Sequence, residues 1–273
     1  MKPDQKQILL TNDDGIDSPG LWAAAEALSS LGYVTVAAPR SQHTGAGRSH
    51  PITSDGSIVP RQLQIGRQIW TAYAMGGSPA QAVMYAILDL LPRKPDLVVS
   101  GINYGENVGS GITISGTLGA ALEAASFSIP ALAISRQLLD GGYLEHSHDI
   151  DFSAAAHFTH FFAKKLLEQV MPADVQVLKV DVPAEADDRT EWKVARMSKH
   201  PYFVPLSKRS GLLDAPGPVA YEIKVNPGDA EPGTDVYTLF FEHKVAVTPI
   251  SLDMTSRLPL DQLQQVLGGN QLP

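Results

Sequence analysis

The chain has 273 residues and a mass of 29.2 kDa, and it contains no cysteine, which excludes a disulfide scaffold, a thiolate zinc site and a cysteine nucleophile. Its 21 basic and 29 acidic residues give a net charge of −8, and no cluster reaches four basic residues, so a groove for a nucleic-acid polymer is not expected. Hydrophobic residues make 44% of the chain, enough for a sizeable core, but no run nears the roughly 18 apolar residues of a membrane span and the apolar run near the N-terminus is too short for a signal peptide; no membrane partner and a cytoplasmic location are the expectations.

Gln7 to Thr11 is a short apolar run ending in Asn12-Asp13-Asp14-Gly15, a buried strand stopping at a turn. Ser18-Pro19 reads as an N-cap and first helical position, and Leu21, Ala24, Ala25, Leu28 and Leu31 follow at helical spacing up to Gly32. Tyr33 to Ala38 is a second strand, and strand, helix and strand within about 32 residues make a βαβ unit with a parallel sheet. A Gly/Ser/Thr loop over 39–50 precedes a β-rich stretch to Met75. Ser78-Pro79-Ala80-Gln81 has capping-box spacing and opens a helix to Leu91. Asp96 to Ser100 is a third buried strand, followed by a Gly/Asn/Ser loop to Gly116 and a small-residue helix over Thr117 to Ala125. Ile129 to Ser135 is strand, Ser153 to Val170 helix and Val175 to Val182 strand. This alternation argues a doubly wound α/β sheet.

After about residue 185 the pattern changes. Short strand-like runs appear at Trp192 to Met197, Tyr221 to Val225, Tyr237 to Phe241 and Val245 to Pro249, separated by turns such as Asn226-Pro227-Gly228-Asp229, and a helix covers Leu260 to Leu267. Residues 1–185 therefore read as the α/β core with its loops, and 186–273 as an antiparallel extension of a single domain.

In a doubly wound sheet ligands bind beyond the carboxyl ends of the strands, where three polar loops converge: 12–15, 40–47 and 100–117. Asp13 and Asp14 are adjacent at a strand end that bends at Gly15. Two carboxylates that close repel unless a cation lies between them. Without cysteine the ligands are oxygens, which suits Mg²⁺ or Mn²⁺ better than Zn²⁺. The alternative is that one Asp caps the turn and the other is solvated. The glycines of Ser100 to Gly109 and the helix start at Ser115-Gly116-Thr117 suit close approach to an anion, against the alternative of a surface loop. Neither a Walker P-loop nor a Gly-x-Gly-x-x-Gly motif is present. Among the histidines, His146-Ser147-His148-Asp149 reads as a polar turn and His157 and His160 as an exposed helix face. His43 is a candidate for phosphate contact, and His200-Pro201-Tyr202-Phe203 reads as packing rather than base stacking. Glu123 reads as structural.

Several stretches in order resemble one family. Ile8 to Ile16 with Ser18-Pro19-Gly20 is similar to the opening of the SurE family of survival-protein nucleotidases. Ala38-Pro39 with Thr44-Gly45-Ala46, Gly76 with Ser78-Pro79, Ser100-Gly101-Ile102-Asn103 with Gly105, Asn107 and Gly109, and Ser115-Gly116-Thr117 with Ala120, Ala121 and Glu123 resemble its further motifs. Gly233-Thr234-Asp235, Val247 to Ile250 and Asp253-Met254-Thr255 resemble its closing ones. The resemblance implies a SurE-like, Rossmann-like doubly wound, mostly parallel sheet with a C-terminal antiparallel β-hairpin and helix extension. It implies a 5′-nucleotidase that hydrolyses nucleoside 5′-monophosphates, with 3′-nucleotides and short polyphosphate as further substrates to test, and one divalent cation (Mg²⁺ or Mn²⁺) per subunit. Carried over residue by residue, the metal ligands fall on Asp13, Asp14, Thr44 and Asn103, with Asp13 and Asp14 also catalytic. Asn12, Asn103, Asn107, Ser115, Gly116 and Thr117 fall around the substrate phosphate. The third ligand is usually Ser in the family; here Thr44 keeps the hydroxyl on a stiffer side chain, and Ser41 is the alternative hydroxyl. A homodimer or homotetramer is implied, made by exchange of the C-terminal extension.

The chemistry that fits is metal-assisted hydrolysis, with Asp13 or Asp14 accepting a proton from water and loop donors stabilising developing charge. A covalent aspartyl-phosphate on Asp13 is the rival mechanism. A haloacid-dehalogenase-like phosphatase is the alternative enzyme, though that family needs Asp-x-Asp where these aspartates are adjacent. A non-catalytic nucleotide-binding module is the alternative outside catalysis.

Overall fold

The structure, a computed structural model, describes residues 5–65, 67–139, 149–207, 219–223, 225 and 230–268. The candidate turns at 146–148 and 226–229 lie outside the described residues. Strand β1 (Gln7–Thr11) is buried along its whole length, as an apolar run between two helical layers should be. Helix α1 (Pro19–Leu28) leads to β2 (Tyr33–Pro39), which pairs in parallel with β1. Ser18 occupies the N-cap, but its hydroxyl makes no capping bond and is buried without a partner among the described residues; Pro19 at the first helical position carries the helix start instead. Strands β3 (Ile58–Ile65) and β4 (Gln68–Met75) form an antiparallel hairpin docked by β4 onto β2.

Helix α2 (Pro79–Tyr85) opens with the expected capping box. The Gln81 N–H donates to Ser78 Oγ at 3.1 Å, and the Ser78 N–H to Gln81 Oε1 at 3.1 Å. The α-helix is shorter than the sequence suggests, because Ala86–Leu90 continues as a wider π turn. Strand β5 (Leu97–Tyr104) runs four residues beyond Ser100, and a 3₁₀ turn over Gly109–Ile114 structures part of what the sequence presents as open loop. Helix α3 (Gly116–Ser126), β6 (Ala131–Arg136), α4 (Ser153–Glu168) and β7 (Val177–Val182) follow.

Beyond residue 185 the structure departs most from the sequence pattern. Strand β8 (Trp192–Val194) and β11 (Val245–Ile250) join the main sheet, β11 antiparallel to β7 and parallel to β8. Only β9 (Phe203–Ser207) and β10 (Val219–Ile223) stand apart as an antiparallel hairpin; β9 escapes the sequence reading because Pro205 interrupts it. The run Tyr237 to Phe241 is not a strand. Helix α5 (Asp235–Phe240) occupies it, with Thr234 Oγ1 accepting the Tyr237 N–H at 3.4 Å and Val236 and Leu239 buried one turn apart. The i, i+3 spacing and the cap outweigh the aromatic β propensity of the run. Helix α6 (Leu260–Val266) is exposed throughout.

The main sheet has nine strands in the order β3-β4-β2-β1-β5-β6-β7-β11-β8. Helices α1 and α4 cover one face, with Leu21, Leu28, Phe158 and Phe162 packing on Ile8, Leu10 and Val99; α2 and α3 cover the other, with Val83, Leu118 and Ala121 on Leu9 and Val98. The chain leaves β1 toward α1 on one face and leaves β5 toward α3 on the opposite face. The crevice at the carboxyl ends of β1 and β5 is therefore the topological switch point, the place such sheets bind ligands. No helix among the described residues is long and apolar enough to cross a membrane.

Candidate active site

The turn after β1 is braced by Asn12. Its Oδ1 accepts the Gly15 N–H at 3.1 Å and its Nδ2 donates to the Gly15 carbonyl at 3.0 Å, while Gly15 adopts φ +99°, a region open to glycine. Both polar ends of the Asn12 side chain are thus used inside the turn. The brace presents Asp13 and Asp14, which are 5% and 3% exposed, to two different elements.

Asp13 meets the start of α3. Its Oδ1 accepts the Thr117 hydroxyl at 2.6 Å, and the N–H groups of Thr117 and Gly116 also favour its charged form. A Cβ on Gly116 would stand 2.7 Å from Asp13 Cβ and Oδ2, so only glycine lets the helix start approach this closely. Asp14 meets β5: its Oδ2 accepts the Tyr104 N–H at 3.1 Å, and the Gln42 side chain bonds the same carboxylate. Burial pushes the Asp13 carboxyl up to about 6, against those donors. Burial and then the neighbouring charge of Asp13 raise Asp14 well above the usual carboxylate range.

Asn103 lies on β5 beside this pair. Its Nδ2 donates to the carbonyls of Gly105 (2.7 Å) and Tyr104 (3.2 Å), and its Oδ1 accepts nothing among the described residues. The loop after β2 closes over the pair from above, where the His43 N–H donates to the Asp13 carbonyl at 2.7 Å. Thr44 follows at an exposed turn; neither its hydroxyl nor that of Ser41 bonds a carboxylate among the described residues. Burial lowers the pKa of half-buried His43. Glu123 anchors the far end of this loop to α3, accepting Arg48 Nε at 2.7 Å with His50 Nε2 at 3.3 Å.

Of the remaining sequence candidates, Ser115 caps α3 through the Leu118 N–H at 3.1 Å. Gly116 and Thr117 face Asp13 directly. Asn107 sends Nδ2 to Ser135 Oγ at 2.9 Å and more distantly to Thr117 Oγ1 at 3.5 Å. The sequence reading gives no site role to Gln42, Ser135, Glu106 or the buried Lys179 and Asp181, and it has Asp235 only within a closing motif and Tyr202 only as packing. One signal could have found two of them: in β7, Lys179 and Asp181 alternate with Val180 and Val182, which puts two charges on one face of a strand buried on both sides.

The described residues contain no cluster of three or more His, Asp or Glu placed for a metal. What they contain is a pair of buried carboxylates and an amide oxygen without a donor. No basic side chain lies within ion-pair distance of Asp13 among the described residues. Hard oxygen donors with surplus negative charge fit Mg²⁺ or Mn²⁺.

A family model described as survival protein SurE matches residues 8–203. A protein of Thermococcus gammatolerans named 5′-nucleotidase SurE is 41% identical over 271 residues, covering 97% of each chain. Its namesake from Thermococcus kodakarensis is 40% identical over 263 residues, 96% of this chain and 98% of the relative. The crystal structure of the SurE protein from Aquifex aeolicus superposes with a TM-score of 0.73 at 30% identity, covering 96% of this chain and 99% of that one.

Proposed function

The chain belongs to the survival protein SurE family, and on that premise we propose that it is a 5′-nucleotidase, releasing phosphate from nucleoside 5′-monophosphates. The observation that carries this reading is the adjacent buried pair Asp13 and Asp14 at the switch point, one tied to the start of α3 and the other to β5. Relatives named 5′-nucleotidase along nearly their whole length support the reaction class.

In this reading Asp13, Asp14, Asn103 Oδ1 and the Thr44 hydroxyl would hold one divalent cation. When bound there, such an ion supplies the positive charge that offsets charge developing on a phosphoryl group. The protein's own residues do the rest. Asp13 or Asp14 takes the proton of the attacking water. Asn107, with the N-terminal turn of α3 at Ser115, Gly116 and Thr117, orients the phosphate and supplies donors to its oxygens. Asn12 keeps the carboxylates in place through the turn it braces. Burial of the pair keeps bulk water from screening these interactions.

The test is phosphate release from a panel of nucleoside 5′- and 3′-monophosphates and short polyphosphate, with Mg²⁺, Mn²⁺ or chelator. Turnover of 5′-monophosphates that chelator abolishes is the expected result. Binding of nucleotide with no turnover under any metal would make the protein a binding module instead. Acid-stable phosphoprotein trapped during turnover would favour covalent attack by Asp13 over direct attack by water.

A further inference from the structure

Behind the candidate phosphate loop lies a charged cluster that the reaction above does not use. Lys179 on β7 is 1% exposed, and Asp181 and Asp235 are fully buried. Lys179 Nζ donates to Asp181 Oδ2 and stands 3.2 Å from Asp235 Oδ2. One ammonium therefore faces two carboxylates, and a surplus negative charge sits where water does not reach. Buried charge of this kind persists only when donors surround it.

Four backbone N–H groups supply them. Asp181 Oδ1 accepts from Asn107 at 2.7 Å, and Asp235 Oδ2 from Gly109 at 3.2 Å. Asp235 Oδ1 accepts from Ser198 at 2.8 Å and Val236 at 2.9 Å. Two of the four donors belong to the loop that carries Asn107, so that loop cannot shift without leaving a buried carboxylate short of a partner. The loop is held again one residue before the first of these anchors, because Glu106 accepts the Tyr202 hydroxyl and the Leu138 N–H.

We propose that Lys179, Asp181 and Asp235 are positioning residues for the substrate phosphate: they clamp the main chain at Asn107 and Gly109, so that the Asn107 side chain and the turn leading to α3 stand ready for the phosphate group. This rests on the nucleotidase reading for its consequence on turnover, but the clamp itself can be measured without any activity. It also makes the C-terminal third part of the site of its own chain, since Asp235 opens α5 and Ser198 lies between β8 and β9.

The deciding variant is Asp235→Asn. It leaves Lys179 and Asp181 as a neutral pair and keeps an oxygen for the Ser198 and Val236 N–H groups. Its amide then points donors at the Gly109 N–H and at Lys179, which releases the loop without stranding a charge. Hydrogen exchange of the full-length protein should show amides across 105–110 exchanging about tenfold or more faster, with β1 and α1 unchanged. In the phosphate-release assay KM for a nucleoside 5′-monophosphate should rise about tenfold, and the inhibition constant of inorganic phosphate with it, while kcat stays within about threefold. Lys179→Met should act in the same direction, and Lys179→Arg should keep KM within about threefold of wild type because it retains the buried cation. If Lys179→Met does not fold, Asp235→Asn alone decides. Unchanged exchange at 105–110 in folded Asp235→Asn overturns the clamp, as does exchange that rises equally in every segment. Faster loop exchange with unaltered KM and phosphate inhibition overturns the positioning role. Should the wild type release no phosphate, the nucleotidase reading fails while the exchange result still stands for or against the clamp.

Discussion

Asp13 and Asp14 are placed against the interest of the unliganded fold, since two adjacent carboxylates are buried and the charge of one raises the pKa of the other. Asp13→Asn or Asp14→Asn should lower phosphate release to less than about a tenth of wild type, because each removes a charge the cation needs. In chelator the same variants should melt higher, by about 2–4 °C for a gain of about 1 kcal/mol in a chain of this size. Added Mn²⁺ should raise the melting temperature of the wild type and leave the variants unmoved. A variant that melts lower in chelator, or one that keeps near-wild-type turnover, counts against the assignment. Thr44 presents a sharper question, because its hydroxyl lies at an exposed turn one residue beyond the His43 amide docked on Asp13. Thr44→Ser should retain turnover and Thr44→Ala should lose it; damage from Ser41→Ala instead would move the hydroxyl ligand three residues back.

Elements meet the site through close approaches that the residue type alone allows or forbids. The start of α3 reaches Asp13 only because residue 116 lacks a side chain. Gly116→Ala should displace that contact at a stability cost of about 1–3 kcal/mol, with a drop in kcat/KM exceeding that of an alanine at half-buried Gly111, where the nearest neighbour is 3.5 Å away. The loop after β5 offers a pH test. Burial, and to a smaller extent the charge of Asp181, raises the Glu106 carboxyl above its ordinary value, opposed by the Tyr202 hydroxyl and the Leu138 N–H. The folded state therefore holds that proton more tightly than the unfolded chain. The stability Glu106 contributes is complete below the ordinary carboxyl range and is lost as pH rises through the raised value. Glu106→Gln keeps an oxygen for the Leu138 N–H and lets its amide donate to Tyr202. Its melting temperature should thus gain on wild type progressively from about pH 4.5 upward; a difference that does not change with pH would remove Glu106 from the account.

At the scale of the whole molecule, the C-terminal third is divided. Strand β11 lies between β7 and β8 in the main sheet, and α5 buries Val236 and Leu239 against Val108 and Tyr202 of the same chain. Stopping the chain near residue 218 should therefore unfold it. Beyond Leu252, by contrast, residues 253–268 bury nothing, and Leu260, Leu263, Val266 and Leu267 of the α6 segment face solvent. We propose that this arm covers a second copy of the chain, as exchange of a terminal element does at low cost. Light scattering at low micromolar concentration should then give at least twice 29.2 kDa, and a chain ending at Leu252 should stay folded at a lower mass. A fully active, monodisperse monomer of the full chain would end this idea and leave the metal site untouched.

The α/β alternation, the parallel sheet, the turn that carries Asp13 and Asp14 and the helix start at Thr117 are legible in the sequence, because apolar periodicity and turn residues are local signals; that Asn103 stands on β5 rather than in the loop after it is not. The capping box at Ser78 was legible for the same reason. The helix over Asp235–Phe240 was not, since aromatic and β-branched residues in a short run suit either period until a cap and a buried face decide. Only the tertiary structure could show that Asn12 spends its side chain on Gly15, that Gln42 bonds Asp14, and that Glu106 pairs with a tyrosine 96 residues away. The same holds for the meeting of Lys179 and Asp181 on β7 with Asp235 at the start of α5. Sequence determines which residues prefer which local conformation; which buried charges meet, and which backbone donors satisfy them, follows from pairings between distant segments whose favourable energy appears only once the core has closed around them.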